Sequence, residues 1–354
     1  MLSAGPGTTM GEITDRLAQH GQCLAFEPPD LGPLLGGAAD AHTLGGVIAA
    51  NLSGPRRPKA GAARDHFLGV RAVSGRGEVF KAGGRVVKNV TGYDLPKLLA
   101  GSWGTLAAIT EVTLKVLPAA EKLRTVIIAG LDDAGAVAAM SRALSGPHDV
   151  SAAAHLPGSV AAGSALSRVR DMGAPVTALR IEGPEPSVLA RCAALRALFA
   201  PGHAVDELHG HNSVSFWRQT GGVAYFVDCP DRPVWRLSVP PAEGARVVAE
   251  IGRSLAVEAF YDWGGGLVWL ALDGGVEAAG AQPIRAALER TGGHASLIRA
   301  PEAVRRAVPV FHPQPAGLAA LSARVKDAFD PKAILNPGRM YPPRAAPPRT
   351  DQGV

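Results

Sequence analysis

The cleanest alternation of apolar and polar positions is EVTLKV, where Val112, Leu114 and Val116 share one face and Thr113 and Lys115 the other, a strand closed by Pro118. Just upstream, GVRAVSG and GEVFKAGG are short strand-like runs joined by Gly75-Arg76-Gly77, a hairpin signal. A helical period comes earlier: Thr9 stands as N-cap with Glu12 three residues on, Ile13 and Leu17 follow on one face, and Gly21 stops the run. Asp94 and Pro96 open a helix of one or two turns that Gly101 ends. Between these, CLAFEPPDLGPLLGG is expected to be irregular, because Pro28, Pro29 and Pro33 forbid a helix.

Beyond Pro118 strands and helices alternate. RTVIIAG precedes an Ala-rich helix from Asp132 to Leu144, VTALRIEG a helix from Glu185 to Phe199, and WRLSVP a helix from Glu243 to Leu255; GLVWLAL and HASLIRA add strands. The pattern predicts an α+β layer with one antiparallel sheet covered on one face. LSARVKDAFDPKAILNPGRMY reads as a helix stopped at Asp330-Pro331 and followed by an extended segment. Boundaries fall near 119 and 310, giving units 1–118, 119–310 and 311–345, and a disordered Pro/Arg/Ala-rich tail at 346–354.

Composition narrows the class. With 354 residues, 47% hydrophobic and 19% charged, the chain has the make-up of a two-domain globular protein, and its 43 Gly and 29 Pro are scattered rather than periodic. The net charge of +5 is spread along the chain, which argues against nucleic acid as a partner. Its one compact basic group, Arg56, Arg57 and Lys59, reads as a solvated loop, with a neighbouring anionic cofactor or partner as the alternative. Cys23, Cys192 and Cys229 have no metal-ligand spacing and imply a reduced, cytoplasmic compartment. No apolar run reaches membrane-spanning length, so membrane contact is expected only through a partner.

Two glycine loops carry the candidate chemistry. In TLGGVIAANLSG, Gly45 and Gly46 open a short helix whose unpaired N–H groups are expected to point at a diphosphate. In GSWGTLAAIT, Gly101 and Gly104 bracket Ser102 and Trp103 ahead of a strand; a helix C-cap with a bulge is the competing explanation. No G-x-G-x-x-G follows a strand, which disfavours a nicotinamide dehydrogenase. His209 and His211 stand at strand spacing and could chelate, but read better as a polar loop; Trp263 and Trp269 read as core, and no catalytic residue is assigned.

The run of motifs LAFEPPDLGP, TLGGVIAANLSGPRR, GAARDHFLGVRAVSGRGEVFKAGGRVVKNVTGYDLPKLLAGSWGTL, EVTLKVLP, FYDWGGGLVWL, GGHASL and ILNPGRMY resembles the vanillyl-alcohol-oxidase-type flavoproteins. Within them it is similar to the FAD-binding subunits of bacterial glycolate oxidase complexes. The resemblance implies a FAD-binding domain over 1–118, an α+β cap over 119–310 and a C-terminal segment, 311–345, that returns to the first domain. It also implies that Thr43, Gly45, Gly46, Asn51, Ser53 and Gly54 line the pyrophosphate and ribityl side of FAD, and that Gly61 and Asp65 shape the next loop. Gly101, Gly104, Thr105 and Ile109 would meet the flavin or adenine end, and Asn336 the isoalloxazine. Relatives carry a further lobe before SAGPGTTM; the resemblance implies either a start site further upstream or weak flavin retention. His294 alone remains of a histidine-rich metal site in the catalytic relatives, no metal is expected, and Trp103 stands where they have Glu. The implied role is accessory: support for oxidation of glycolate to glyoxylate beside a catalytic flavoprotein subunit and an iron–sulfur subunit, cytoplasmic and peripheral to the inner membrane only through that complex. The alternatives are a self-sufficient FAD-dependent 2-hydroxyacid dehydrogenase and a structural subunit without flavin.

Overall fold

The computed structural model describes residues 1–84 and 92–341. The tail expected at 346–354, the last residues of the 311–345 segment and residues 88–91 of the KNVTGYDLP match lie outside them.

The chain opens with β1 (Leu2–Ala4), α1 (Met10–Ala18), β2 (Gln22–Cys23), α2 (Leu44–Ala50), the hairpin β3 (Phe67–Ser74) and β4 (Val79–Gly83), α3 (Leu95–Leu99), β5 (Ala107–Leu114) and β6 (Leu117–Pro118). Four of these strands form an antiparallel sheet in the order β1-β5-β3-β4. The Thr9 hydroxyl accepts from the Glu12 amide at 3.3 Å, and the Glu12 carboxylate reaches back to the Thr9 amide at 3.4 Å, so the capping box sets where α1 begins. Its Met10, Ile13 and Leu17 then pack with Val47 and Ile48 of α2 against Phe67, Val70, Val112 and Leu114. The strand expected through Val116 stops at Leu114; Leu117 and Pro118 turn away to pair with Gln22 and Cys23.

The second sheet is built from β7 (Lys122–Ala129), β8 (Ala152–Leu156), β9 (Val176–Gly183), β10 (Ala204–His209), β11 (Val234–Ser238), β12 (Val257–Asp262), β13 (Leu267–Leu272) and β14 (His294–Arg299). Among the described residues it has eight strands in the order β10-β7-β9-β8-β12-β13-β11-β14, with antiparallel pairing throughout. The longer helices of this part are α4 (Asp133–Ser145), α5 (Glu185–Phe199), α6 (Gly210–Gly221), α7 (Gly244–Gly252) and α8 (Ala281–Glu289).

Both faces of the sheet are covered, where one was expected. Val126, Leu179, Ile181, Trp235, Leu237, Tyr261 and Leu270 meet Met140, Leu195, Ile251 and Ile284 from α4, α5, α7 and α8. The opposite face sets Ile127, Ala178, Phe260 and Trp269 against Phe216 and Trp217 of α6, against Leu31, and against Leu34 and Phe226 of two short 3₁₀ helices, Pro33–Leu35 and Ala224–Phe226. The first begins at Pro33, where an irregular stretch was expected, because proline is tolerated in a first helical turn. Strands such as VTALRI are apolar at both parities, as a doubly covered strand must be. His209 ends β10 and N-caps α6, so the expected polar loop is the start of a helix.

A last long helix, α9 (Ala316–Phe329), returns to the first sheet, where Val325 and Phe329 join its core. The Gly75 amide donates to the Phe329 carbonyl at 3.0 Å, and Lys326 Nζ donates to the carbonyls of Thr105 (2.6 Å) and Leu335 (2.9 Å). Beyond it the segment is turned rather than extended: Ala333 and Asn336 have positive φ, and the Asp330 carboxylate accepts from the amides of Ile334 and Leu335. Among the described residues no helix is long and apolar enough to cross a membrane.

Candidate functional site

The amides of the α2 N-terminus are occupied by the chain itself, which corrects the expectation that they are free for a diphosphate. Leu44 N–H donates to the Thr8 carbonyl (2.9 Å), Gly45 N–H to the Pro6 carbonyl (2.8 Å) and Gly46 N–H to the Thr43 hydroxyl (3.3 Å). The loop between β1 and α1 thus lies against this helix end and takes the donors. Gly45 is required for that approach, since a Cβ there would stand 2.7 Å from Pro6 Cβ. Gly46 differs: it is exposed, and beyond Thr43 Oγ1 nothing lies within 4 Å of a Cβ built on it.

The second glycine loop closes the other end of α2. Gly101 (φ 80°) donates its amide to the Ile48 carbonyl at 3.0 Å, and Trp103 (φ 54°) donates to the Ala49 carbonyl at 2.8 Å. Asn51 C-caps α2 in the left-handed region, and its Oδ1 accepts from the Arg64 amide at 3.0 Å. Asn336 Nδ2 donates to the Trp103 carbonyl at 2.8 Å, against Gly104. The structure therefore brings Asn51, Gly101, Gly104 and Asn336 to one end of α2, with Thr43, Gly45 and Gly46 at the other. Trp103 is boxed by the Phe311 ring, 5.3 Å between centroids, and by the Arg339 guanidinium at 5.1 Å.

The remaining residues singled out in the sequence make a supporting layer. Buried Ser53 accepts from the Ala63 amide at 2.9 Å, Asp65 accepts from the Ala62 amide at 2.9 Å, and Gly61 (φ 86°) lies against that carboxylate. Gly54 leaves room for the Glu27 carbonyl, and its own carbonyl accepts from Trp263 Nε1 at 2.9 Å. The Thr105 hydroxyl donates to the Ser102 carbonyl at 2.6 Å. Ile109 stands apart on β5, opposite Ala72, packed against the core.

Sequence reasoning missed the seam between the two sheets. Arg180, 1% exposed, holds both Glu27 carboxylate oxygens at 2.9 and 2.6 Å, and Arg56 holds Glu182 at 2.8 Å. Arg57 and Arg236 both lie against the Trp263 ring, 4.2 and 5.1 Å from its centroid. Asp262, 1% exposed, has its carboxyl pushed up to about 7 by burial, although the Trp263 amide donates to it at 2.7 Å. Arg236 is pushed down to about 10, first by burial and then by Arg57. His294, at the exposed rim, is also lowered, first by the surrounding protein and then by Arg236. The compact Arg56-Arg57-Lys59 group was the one signal in the sequence.

The donors expected at α2 are used, while Gly46 leaves an open, side-chain-free patch, so any group held against this helix end would be held by space more than by amide donors. Among the described residues no group of three or more His, Cys, Asp or Glu could hold a metal ion.

Comparison with known proteins agrees with this architecture. The FAD binding domain family matches residues 1–83. The glycolate oxidase subunit GlcE of Escherichia coli (strain K12) is 31% identical over 347 residues, covering 96% of this chain and 82% of that protein. The D-lactate dehydrogenase of Archaeoglobus fulgidus is 40% identical over 114 residues, 32% of this chain and 24% of that protein. Glycolate oxidase subunit GlcD of Bacillus subtilis (strain 168) is 37% identical over 102 residues, 29% of this chain and 21% of that protein. Among solved structures, 4-ethylphenol oxidase from Gulosibacter chungangensis superposes with a TM-score of 0.69 at 17% identity, covering 96% of this chain and 76% of that one. An alkyldihydroxyacetonephosphate synthase superposes with a TM-score of 0.68 at 16% identity, covering 94% of this chain and 63% of that one. The fold is the α+β, vanillyl-alcohol-oxidase-type FAD-binding fold with an antiparallel cap sheet, and its cofactor is FAD.

Proposed function

The chain belongs to the family of the glycolate oxidase subunit GlcE, FAD-linked oxidoreductases, and from that premise we propose that it is the FAD-binding accessory subunit of a complex that oxidises glycolate to glyoxylate. The observation that carries this reading is the extent of the likeness. It runs over 96% of the chain for GlcE but over about a third of it for the D-lactate dehydrogenase and GlcD. A catalytic flavoprotein subunit and an iron–sulfur subunit are the proposed partners, and any contact with a membrane is made through them.

FAD, when bound, supplies the two-electron chemistry. The chain's part is to hold it. Thr43, Gly45 and Gly46 shape one end of the α2 surface and Asn51, Gly101, Gly104, Thr105 and Asn336 the other, while Ser53, Gly54, Gly61 and Asp65 brace the loop behind; Ile109 lies apart from them on β5. We assign residues 1–118 to the FAD-binding domain, 119–310 to the cap and 311–345 to the segment that returns to the first domain.

A second reading, a self-sufficient 2-hydroxyacid dehydrogenase, has His294 as its candidate imidazole, exposed at the first residue of β14 and lowered in pKa first by burial and then by Arg236. The visible spectrum of the purified chain separates the readings. Flavin bands near one per chain that glycolate does not bleach support the accessory subunit; bleaching by glycolate alone moves the oxidation to this chain, and bands that never appear overturn both.

A further inference from the structure

Between α8 and the end of the short helix Glu302–Ala307 lies a cleft of about 390 Å³, a size in the range of small-molecule sites. Ala278, Ala307, Val308 and Pro309 give it apolar walls, and two opposite charges, Arg285 and Glu289, line it from α8. Both rims are fixed. Buried Trp235 donates its indole N–H to the Ala279 carbonyl at 2.8 Å, and Arg285, its guanidinium 5.5 Å from the centroid of that ring, donates through Nη2 to the carbonyls of Pro309 and Phe311. Ala278 and Ala279 hold φ of 48° and 49°, a conformation that residues with a Cβ keep only where their surroundings over-determine it.

The two charges are spent neither on each other nor on any other ion pair among the described residues. Arg285 precedes Glu289 by one turn, the weaker order for a helical pair, and is drawn instead to the two carbonyls. Burial pushes its guanidinium down, and no carboxylate offsets that. Its Nη1 donates to nothing among the described residues, and its Nε is buried without an acceptor. His312, lowered first by burial, feels both charges: Arg285 lowers it further and Glu289 raises it. The cleft therefore presents a cation with donors to spare and a carboxylate one helical turn away.

We propose that this cleft binds a small aliphatic α-amino acid. Its carboxylate takes the free edge of the Arg285 guanidinium, its ammonium faces Glu289, and its side chain lies on Val308 and Pro309. A plain carboxylic acid would set an anion beside Glu289 with nothing to balance it, and an amine would do the same with a cation beside Arg285. A zwitterion is thus selected over either. The same guanidinium holds the carbonyl of Phe311, whose ring packs on Trp103 at 5.3 Å, so one side chain joins the ligand to the loop at the end of α2. No residue lining the cleft belongs to the α2 surface, and the proposal stands apart from the flavin and glycolate readings.

The experiment is isothermal titration of the purified full-length chain with L-valine, with L-valinamide, which lacks the carboxylate, and with isovalerate, which lacks the ammonium. It is repeated on Arg285→Gln and Glu289→Gln, with circular dichroism confirming their fold. Arg285→Lys, which keeps the charge but loses the planar fork, serves if Arg285→Gln does not accumulate. L-valine is expected to bind saturably, both analogues at least about tenfold more weakly, and each variant to lose about tenfold or more in affinity. No saturable binding of L-valine, equal binding of L-valinamide or isovalerate, or unchanged affinity in the variants overturns the proposal.

Discussion

In the eight-stranded sheet Trp235, Tyr261 and Leu270 are sealed under helices, whereas in the four-stranded unit Gly45, Gly54 and Gly104 sit where any added Cβ would meet Pro6, the Glu27 carbonyl or Asn336. One region is therefore sensitive to atoms taken away and the other to atoms put in. The sheet gains its stability from buried volume, each large side chain contributing roughly 1.5–3 kcal/mol. The unit that carries the glycine loops depends on close backbone approach, and its tolerances are measured in tenths of an ångström.

That contrast can be broken in order of expected effect. Trp235→Ala, which also removes the indole donor to the Ala279 carbonyl, should cost about 3–5 kcal/mol in a denaturant titration, the largest loss of the set. Glu27→Ala at the seam should cost about 2–3 kcal/mol, because the buried Arg180 loses both its charge-assisted bonds. A Glu27→Ala chain as stable as the parent would show that the seam is held by packing alone. Gly54→Ala should cost about 1–3 kcal/mol by pushing into Glu27 and loosening the bond from Trp263.

Asp262 gives a pH signature. Its folded pKa of about 7 lies above the ordinary 3.8, so the folded state holds the extra proton; that contribution is complete below about pH 4 and is lost as the pH rises toward 7. Asp262→Asn should flatten the fall in melting temperature over this range, and an unchanged slope would exclude Asp262 as its source. The smallest effect is expected at Gly46, where Ala meets open space on a helix and should stabilise the chain by about 0.5–1 kcal/mol. Gly46→Glu should fold equally well yet lose flavin, read from the absorbance ratio of the purified protein. Retained flavin would place the cofactor elsewhere.

Local signals in the sequence were dependable where a few neighbouring residues decide the outcome. The Thr9–Glu12 box, the Gly75–Gly77 turn and the helix from Glu185 to Phe199 all form as read. What escaped reading depends on residues far apart in the chain. The amide of Gly45 looked free because its acceptor, Pro6, reaches it only through the packing of the β1–α1 loop on α2. Trp263 looked like core, and it is buried, but its neighbours Arg57, from the short helix Arg57–Ala60, and Arg236, from the large sheet, arrive from distant parts of the chain and change what burial there means. The second cover of the large sheet went unseen for a related reason, since it is assembled from α6 and several short helical turns far apart in the chain, without a shared period.

The return of α9 has a consequence for biosynthesis. Arg76 donates to the Ala328 carbonyl across 252 residues, and Lys326 grips Thr105 across 221. At roughly 5–20 residues per second, the ribosome needs about 10–50 s to deliver the partner of a loop already made. During that interval Phe80 and Ala107, which pack with Phe329 and Val325 in one core, lack that cover while the large sheet is still being synthesised. A nascent chain halted before residue 316 is thus the form in which a chaperone has most to hold.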